Sequence, residues 1–307
     1  MQRLEFHAMG CQMLAIVDSD SRLAAKQLAQ VPQWFEEWEQ HLSRFRESSE
    51  LNELNRQSGR SIPVSPILWE VTQLAIKAAE WSDGLVSPTI LNALEAAGYD
   101  RSFEAISPIG TLPTRSADPT PAGQWRAIER RASTRSIQLP SNVRIDLGGV
   151  AKGWAAARAA RKLSIHGAAL VDASGDIALN GLRLDGQAWP IGITDPLNPD
   201  RQLDLIMIDQ GGVATSGRDY RRWQHDGQWQ HHIIDPRTGL PAQTDVISAT
   251  VIAPNVYQAE VAAKAAVILG SDQGLSWLED HPHCAGLLVL EDGRVLFSER
   301  MHQYLWR

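Results

Sequence analysis

The chain has 307 residues, with 36 acidic and 29 basic side chains, which give a formal charge of -7. At roughly 150 residues per domain, this length predicts two domains or one large one. The acidic balance excludes a protein that works mainly on nucleic acid, because such a protein needs a basic face to neutralise phosphates. Hydrophobic residues make up 43% and charged residues 21%, which excludes a disordered or fibrous chain.

Cysteine content and the lengths of apolar runs bear on where the protein works. The two cysteines, Cys11 and Cys284, are too few for a disulfide framework or a thiolate metal cluster. No stretch reaches the roughly 18 apolar residues of a membrane span, so we expect no membrane insertion. Charged residues interrupt the apolar region that an N-terminal secretion signal would need. Together these features predict a cytoplasmic protein.

The first third of the chain has helical periodicity. Apolar residues recur three and four positions apart from Leu28 to Phe45, which predicts an amphipathic helix that Pro32 kinks or begins. Ser65-Pro66 is a favourable helix start and predicts a second helix that stops at 82–84. A third helix is expected over 88–97. Residues 1–106 are therefore predicted to form a helical lobe.

The character of the chain changes after residues 107–123, which contain four prolines and two glycines without an apolar period. This composition predicts a loop. Beyond it, short apolar runs typical of strands dominate. They are 134–139, 143–147, 168–172, 175–180, 189–194, 203–209, 246–253, 284–290 and 293–298. With helices expected at 150–164, 255–269 and 272–279, residues 124–307 are predicted to form a strand-rich lobe, and the fold class is α+β.

The segment 144–153 has the pattern of a strand, a glycine turn and an alanine-rich helix. The predicted strand ends at Asp146, and Gly148 and Gly149 precede the helix. A helix N-terminus after glycines offers free N–H groups to an anion, and Lys152 adds a positive charge. The spacing matches neither common glycine-rich nucleotide motif. The segment is therefore either a phosphate site or a tight turn followed by a surface lysine.

Two adjacent histidines, His231 and His232, precede a turn sequence at 235–239. Histidine is a candidate general base because its ordinary pKa lies near the working pH of most enzymes. Neighbouring residues of a strand point to opposite faces, so at most one of the two faces a given site. The alternative is a hairpin tip with solvated histidines, and the segment alone does not decide between them.

Glu260 and Lys264 lie four residues apart on a predicted helix. Glu before Lys is the favourable order for an ion pair on an exposed helix face, worth about 0.2–0.5 kcal/mol. An exposed pair is the simplest interpretation of these two residues taken alone.

In chain order, a series of segments resembles the FAD:protein FMN transferase family, also called the ApbE or flavin transferase family. The segments are His7–Gly10, Ser43–Phe45, Ser48–Leu51, Asp146–Gly153, Ser174–Ile177, Thr215–Gly217, His232–Gly239 and Ala259–Glu260. Because they span nearly the whole chain, the resemblance implies one catalytic unit over 1–307. In that unit the helical lobe packs on a mostly antiparallel, strand-rich lobe.

Enzymes of this family bind FAD, cleave its diphosphate with Mg²⁺ and attach FMN through a phosphoester to a Thr or Ser of a target protein, releasing AMP. The resemblance therefore implies FAD as substrate and a flavin-acceptor protein as partner. The residues it places at the FAD site are Met9, Phe45, Val86, Ser87, Asp146, Lys152 and Ile234. It makes His232 the candidate base.

The chain departs from the family pattern where the family holds its metal. Glu260 stands where Asp is typical, Lys264 replaces a Thr ligand, and Gly149 offers only its backbone. An ammonium cannot ligate Mg²⁺, which takes oxygen donors. In one explanation Lys264, paired with Glu260, supplies the positive charge of a metal. In the other, the protein binds FAD without catalysis.

Two further alternatives follow from the same departure. Mg²⁺ held by Glu260, substrate phosphates and water would keep a metal-dependent reaction. An FAD diphosphate hydrolase would use water in place of the protein acceptor. We expect the transferase activity, with Glu260 and Lys264 as a modified charge centre.

Overall fold

The computed structural model describes residues 1–106, 123–225 and 227–307. The helices are α1 (Arg22–Leu28), α2 (Val31–Leu42), α3 (Glu50–Arg56), α4 (Pro66–Trp81), α5 (Leu91–Ala96), α6 (Ala151–Leu163), α7 (Val256–Leu269) and α8 (Ser271–Asp280). Short 3-10 helices cover Pro88–Ile90, Phe103–Ala105, Gln124–Ala127, Ser164–His166 and Glu299–Gln303. The α+β class predicted from the sequence is confirmed.

The strands are short and numerous, as expected for the second half of the chain. They are β1 (Gln2–Ala8), β2 (Cys11–Asp18), β3 (Ser61–Pro63), β4 (Glu129–Arg131), β5 (Ser136–Gln138), β6 (Ala168–Asp172), β7 (Asp176–Asn180), β8 (Trp189–Asp195), β9 (Asn198–Ile208), β10 (Gly211–Gly217), β11 (Arg222–His225), β12 (Gln228–His231), β13 (Ile234–Asp235), β14 (Leu240–Pro241), β15 (Val246–Ala253), β16 (Ala285–Leu290) and β17 (Val295–Phe297).

The described chain divides into two compact units. Unit 1 contains Met1–Phe35, Lys152–Tyr220 and Thr244–Arg307, and unit 2 contains Glu36–Ala151 and Arg221–Gln243. This division differs from the predicted lobes 1–106 and 124–307, because the chain begins with two strands that belong to the sheet of unit 1. The predicted loop at 107–123 lies, except for Gly123, outside the described residues.

Unit 1 is built on an eight-stranded sheet with the order β1-β2-β6-β7-β10-β15-β16-β17. Each neighbouring pair in this order is antiparallel, so the expected mostly antiparallel arrangement is confirmed. Apolar side chains of these strands and of the β8–β9 hairpin form a core that includes Ile177, Trp189, Ile206 and Leu287. The β1–β2 hairpin was not predicted from the sequence.

Helix α7 is buried on nearly every side against this sheet. Its alanines, among them Ala262, Ala263 and Ala266, are fully buried, and small side chains let the helix approach the strands closely. Gly212 on β10 lies at a close approach, since a Cβ there would clash with the backbone of Val256 at the start of α7. This contact fixes the beginning of α7 over the sheet.

Unit 2 contains α3, α4 and α5, a three-stranded sheet in the order β3-β5-β4 and two short hairpins. The indole of Trp223 is fully buried in its core, beside Leu94, Tyr99 and Ile234. Its Nε1 donates a hydrogen bond to the carbonyl oxygen of Ala97 at 2.8 Å. The core therefore joins the hairpin segment to the end of α5.

Two sequence-based expectations, one for Pro32 and one for residues 143–147, have different outcomes. Pro32 lies in the first turn of α2, so it begins a helix and does not kink one. The predicted strand at 143–147 is wrong. There the amide group of Asn55 takes the place of a neighbouring strand, donating to the carbonyl oxygen of Ile145 at 2.9 Å and accepting from its N–H at 2.8 Å.

None of the described helices is long and apolar enough to cross a membrane.

A substitution at Gly212 tests the close approach of α7 to the sheet. The Gly212→Ala variant should lower the free energy of unfolding by about 1–3 kcal/mol, because the added methyl group forces the helix and strand apart. Gly123→Ala is the control, since no atom of the described residues lies within 4 Å of a Cβ there, and it should change the stability by less than about 0.5 kcal/mol. Urea unfolding measures both, and equal effects would contradict the account.

Candidate functional site

Unit 1 holds a cluster of four charged side chains that we call the charge centre: Lys152 at the start of α6, Asp176 at the start of β7, and Glu260 and Lys264 on α7. The Lys152 Nζ pairs with Asp176 Oδ2. The Lys264 Nζ lies 2.9 Å from Glu260 Oε1. Glu260 has no exposed surface, and Asp176 is 1% exposed. The interpretation of Glu260 and Lys264 as an exposed pair is therefore wrong.

The missing side chain of Gly153 allows Glu260 to occupy this position. The N–H of Gly153 donates to Glu260 Oε2 at 3.3 Å. A Cβ on Gly153 would lie only 2.6 Å from the same oxygen. Both carboxylate oxygens are thus engaged, one by the backbone of α6 and the other by Lys264. The segment 148–153 therefore contributes to the charge centre through the backbone N–H of Gly153.

Burial and neighbouring charges set the protonation of the charge centre. Burial, reinforced by the negative charge of Asp176, raises the pKa of Glu260 to about 7, although Lys264 and Lys152 oppose the rise. Burial alone would lower the pKa of Lys152, but the carboxylates of Asp176 and Glu260 outweigh it and raise that pKa. Lys152 therefore provides positive charge beside these two buried carboxylates.

The donor set at the charge centre does not fit Mg²⁺. The ion takes near-octahedral oxygen donors, whereas Glu260 is already contacted by an ammonium and a backbone N–H. Across 1–106, 123–225 and 227–307, no three His, Cys, Asp or Glu side chains are grouped so as to hold a metal ion. Gly149, the other predicted metal contact, has only backbone atoms to offer.

In unit 2, Arg44 connects two of the residues predicted to bind FAD. Its Nε lies 2.9 Å from Asp146 Oδ2, and its guanidinium carbon lies 4.1 Å from the centre of the Phe45 ring. Its Nη1 also donates a hydrogen bond to the carbonyl oxygen of Tyr99 at 2.8 Å, and the guanidinium carbon lies 4.3 Å from the centre of the Tyr99 ring. Arg44 therefore fixes the position of both the carboxylate and the aromatic ring.

One nitrogen of Arg44 is buried and lacks a partner in the part of the chain that the structure describes. The side chain is 6% exposed, and its Nη2 has no hydrogen-bond partner among the described residues. A buried donor of this kind costs about 1–3 kcal/mol unless something accepts its hydrogen bond. A cavity beside it is lined by Arg44, Asn52, Asn55, Arg56, Leu91, Glu95, Asp100 and Arg144. Arg44 was missed as a site residue, although the segment Ser43–Phe45 contains it.

The turn around Asp146 lies next to the segment that contains another predicted residue, Ser87. Asp146 Oδ1 accepts from the N–H of Gly148 at 2.8 Å, and the Asp146 N–H donates to the carbonyl oxygen of Pro88 at 2.8 Å. Ser87 is buried, and its Oγ lies 2.9 Å from Thr89 Oγ1. Asp146 and Ser87 thus occupy neighbouring segments of unit 2.

The remaining predicted FAD residues differ in exposure. Val86 and Ile234 are buried, at 8% and 3%, whereas Phe45 is 45% exposed. Met9 forms the β1–β2 turn with Gly10, and both have positive φ, +51° and +65°. That conformation matches a two-residue type I′ turn, which is unfavourable for a residue with a side chain.

The two histidines have different environments. His231 is buried, its Nε2 lies 2.9 Å from the carbonyl oxygen of Ala242, and its Nδ1 accepts from the N–H of Ile233 at 3.3 Å. His232 is half-buried. Since backbone groups hold both ring nitrogens of His231, His232 is the better candidate for proton transfer. The alternative of two solvated histidines is wrong for His231.

A double-mutant cycle tests the buried pair on α7. At a pH well above the Glu260 pKa of about 7, Lys264→Met should lower the free energy of unfolding by about 3–5 kcal/mol, because it leaves the Glu260 carboxylate buried without its partner. Adding Glu260→Gln should restore most of the loss, since a neutral amide then fills the same space. Denaturant unfolding measures all four proteins.

The matched control for this cycle is Lys26→Met, which removes an exposed ammonium from α1 and should cost less than about 0.5 kcal/mol. If Lys264→Met cost no more than this control, the pair would not be the buried interaction described.

Two single substitutions test the contacts that Arg44 makes with Asp146 and Tyr99. Arg44→Met should lower the free energy of unfolding by about 3–5 kcal/mol, because Asp146, whose side chain is 10% exposed, then lacks its cation. Arg44→Lys should recover only part, since an ammonium lacks the planar fork that reaches Asp146 and Tyr99 together. Exposed Arg130→Met is the control. Full recovery by lysine would show that charge alone matters.

Comparisons with known proteins show which family this chain is similar to. The model of the ApbE family matches residues 9–288. The FAD:protein FMN transferase of Treponema pallidum is 30% identical over 279 residues, 84% of this chain and 75% of that protein. The protein of the same name from Salmonella typhimurium is 26% identical over 281 residues, 89% of this chain and 79% of that protein.

Solved structures show the same fold. The ApbE protein of Thermotoga maritima has a TM-score of 0.89 at 27% identity, covering 100% of this chain and 99% of that one. The flavin transferase ApbE of Vibrio cholerae has a TM-score of 0.81 at 23% identity, covering 99% of each chain. With a family model matched over most of its length, this chain belongs to the ApbE family.

Proposed function

We propose that this protein transfers FMN from FAD to a Thr or Ser hydroxyl of a target protein and releases AMP. The observation that carries the proposal is the 30% identity, over 84% of this chain, to an FAD:protein FMN transferase. The charge centre and the Arg44 contacts support it, because they place cations and an exposed aromatic ring in segments that the resemblance assigns to FAD. The acceptor is a protein of unspecified identity.

The proposed reaction is a displacement at phosphorus. The acceptor oxygen attacks the phosphorus on the FMN side of the FAD diphosphate, a new P–O bond forms, and the bond to the AMP phosphate breaks. The hydroxyl proton passes to His232, and AMP leaves with the electron pair of the broken bond. Negative charge builds on the phosphates as this happens, so fixed cations lower the barrier. Lys152 and Lys264 would supply that charge.

The other residues would hold FAD. Phe45 offers an exposed ring for stacking on an aromatic ring of FAD, and Asp146, oriented by Arg44, offers a carboxylate acceptor. Val86 and Ile234 are too buried for extensive contact with a ligand, so their contribution would be to shape the surface above them. Met9, Ser87 and Lys152 complete the proposed set.

Because Mg²⁺ does not fit the residues at Glu260, no step of the proposed reaction depends on the ion. We also propose that the protein is cytoplasmic. Two other activities remain as outcomes of the test below: FAD binding without chemistry, and hydrolysis of FAD by water.

Incubation of the full chain with FAD and an acceptor domain that carries a target Thr tests the proposal. Mass spectrometry of the acceptor should show covalently attached FMN, and chromatography should show an equal amount of AMP. Replacing the target Thr with Val should abolish the attachment. FMN and AMP released in equal amounts without the acceptor would indicate hydrolysis, and intact bound FAD would indicate a binding protein.

A histidine pair supplies a matched test of the proposed base. His232→Asn should lower the rate of transfer by roughly 10²–10⁴-fold, the usual contribution of a general base, while the Kd for FAD changes less than about twofold. His231→Asn should instead lower stability, with little effect on the rate per folded molecule, because its ring bonds to the backbone. Comparable rate losses in the two variants would rule out the assignment to His232.

A further inference from the structure

In the charge centre of unit 1, both oxygens of the Glu260 carboxylate are already contacted by the protein. Glu260 is fully buried, Lys264 lies 2.9 Å from its Oε1, and the backbone of Gly153 donates to its Oε2. The carboxylate thus has no oxygen left uncontacted. Each oxygen has a second lone pair, but a divalent ion bound there would lie beside the Lys264 ammonium and be repelled by it.

The four side chains form two pairs of opposite formal charge. Lys152 pairs with Asp176, and Lys264 pairs with Glu260. A divalent cation at Glu260 would add two positive charges beside two ammonium groups in a buried setting, where repulsion between like charges is strong. The raised pKa of Lys152 agrees with an ammonium that stays charged there.

Lys264 also retains hydrogen-bonding capacity. An ammonium has three N–H donors, and one of them serves Glu260 Oε1. Its side chain is 17% exposed, although the carboxylate it pairs with is not exposed at all. An anion that reached the Lys264 Nζ could accept from the other donors while the pair with Glu260 stayed intact.

We propose that the Lys264 ammonium, held by Glu260, replaces the divalent cation of this reaction, so that the FAD diphosphate is neutralised by a side chain and transfer proceeds without Mg²⁺. The proposal rests on the proposed function for its substrate, and on the contacts of Glu260 for the exclusion of the metal. Lys264 acts here as an electrostatic group on the phosphates, and it neither gains nor loses a proton during transfer.

Direct metal binding tests the proposal without relying on activity. Electron paramagnetic resonance should detect no Mn²⁺ bound to the full-length chain at sub-millimolar concentrations, whereas Lys264→Thr, which frees Glu260 and adds a hydroxyl oxygen, should bind Mn²⁺ at least tenfold more tightly. Lys26→Thr, which removes an exposed ammonium, should behave like the parent protein. Tight Mn²⁺ binding by the parent protein that competes with Mg²⁺ would overturn the proposal.

Transfer assays with and without metal supply the second readout. The rate for the parent protein should change less than twofold between excess EDTA and millimolar Mg²⁺, and Lys264→Thr should show at least a tenfold dependence on Mg²⁺. Loss of transfer in EDTA with recovery in Mg²⁺ would refute the metal-free reaction while leaving the proposed function standing.

The two proposals can fail separately. No transfer under either condition would refute the proposed function, and the Mn²⁺ measurement on the parent protein would still decide whether Lys264 excludes the metal. Because that measurement needs no variant, it tests the exclusion of the metal even if Lys264→Thr folds poorly.

Discussion

The burial of the Glu260 carboxylate is the constraint on which the proposed chemistry depends. A carboxylate removed from water is costly unless it is paired and hydrogen-bonded. Lys264 lies one helical turn further along α7, and the N–H of Gly153 meets the second oxygen. The alanines of α7 and the absence of a side chain at Gly212 and Gly153 let the surrounding backbone come close enough to enclose the pair. Small residues thus make a buried charge possible here.

In unit 2, a single guanidinium, that of Arg44, pairs with the Asp146 carboxylate. Arg44 is nearly buried, yet it contacts a carboxylate, a carbonyl oxygen and two aromatic rings. Its planar shape allows stacking and hydrogen bonding at once, which an ammonium cannot do. The buried Nη2 without a partner among the described residues is the kind of donor that a ligand acceptor would satisfy. Lys264 in unit 1 and Arg44 in unit 2 are each held by contacts that leave N–H donors for an anionic ligand.

Most of the long helices and buried strands were predicted from patterns within one element, whereas contacts between distant segments were not predicted. Strands β6 and β15 were predicted to the residue, because continuous apolar runs mark buried strands. The strand at 143–147 was wrong, since its backbone bonds to the side chain of Asn55, 90 positions away. The burial of Glu260 was missed because an alanine-rich helix has no apolar stripe to show which face is covered. Asp176 was predicted to lie in a strand. Its partner Lys152 lies on α6, so the pair could not be predicted from either element alone.

The family resemblance identified Glu260 and Lys264 as a departure, and the structure shows what the departure does to the site. A crystal structure of the full chain with FAD and Mn²⁺, using the anomalous scattering of manganese, is the most direct measurement of the central claim. The account predicts the Lys264 Nζ within hydrogen-bond distance of a phosphate oxygen, still paired with Glu260, and no anomalous peak at that carboxylate. A manganese ion ligated by Glu260, with Lys264 displaced from it, would contradict the account.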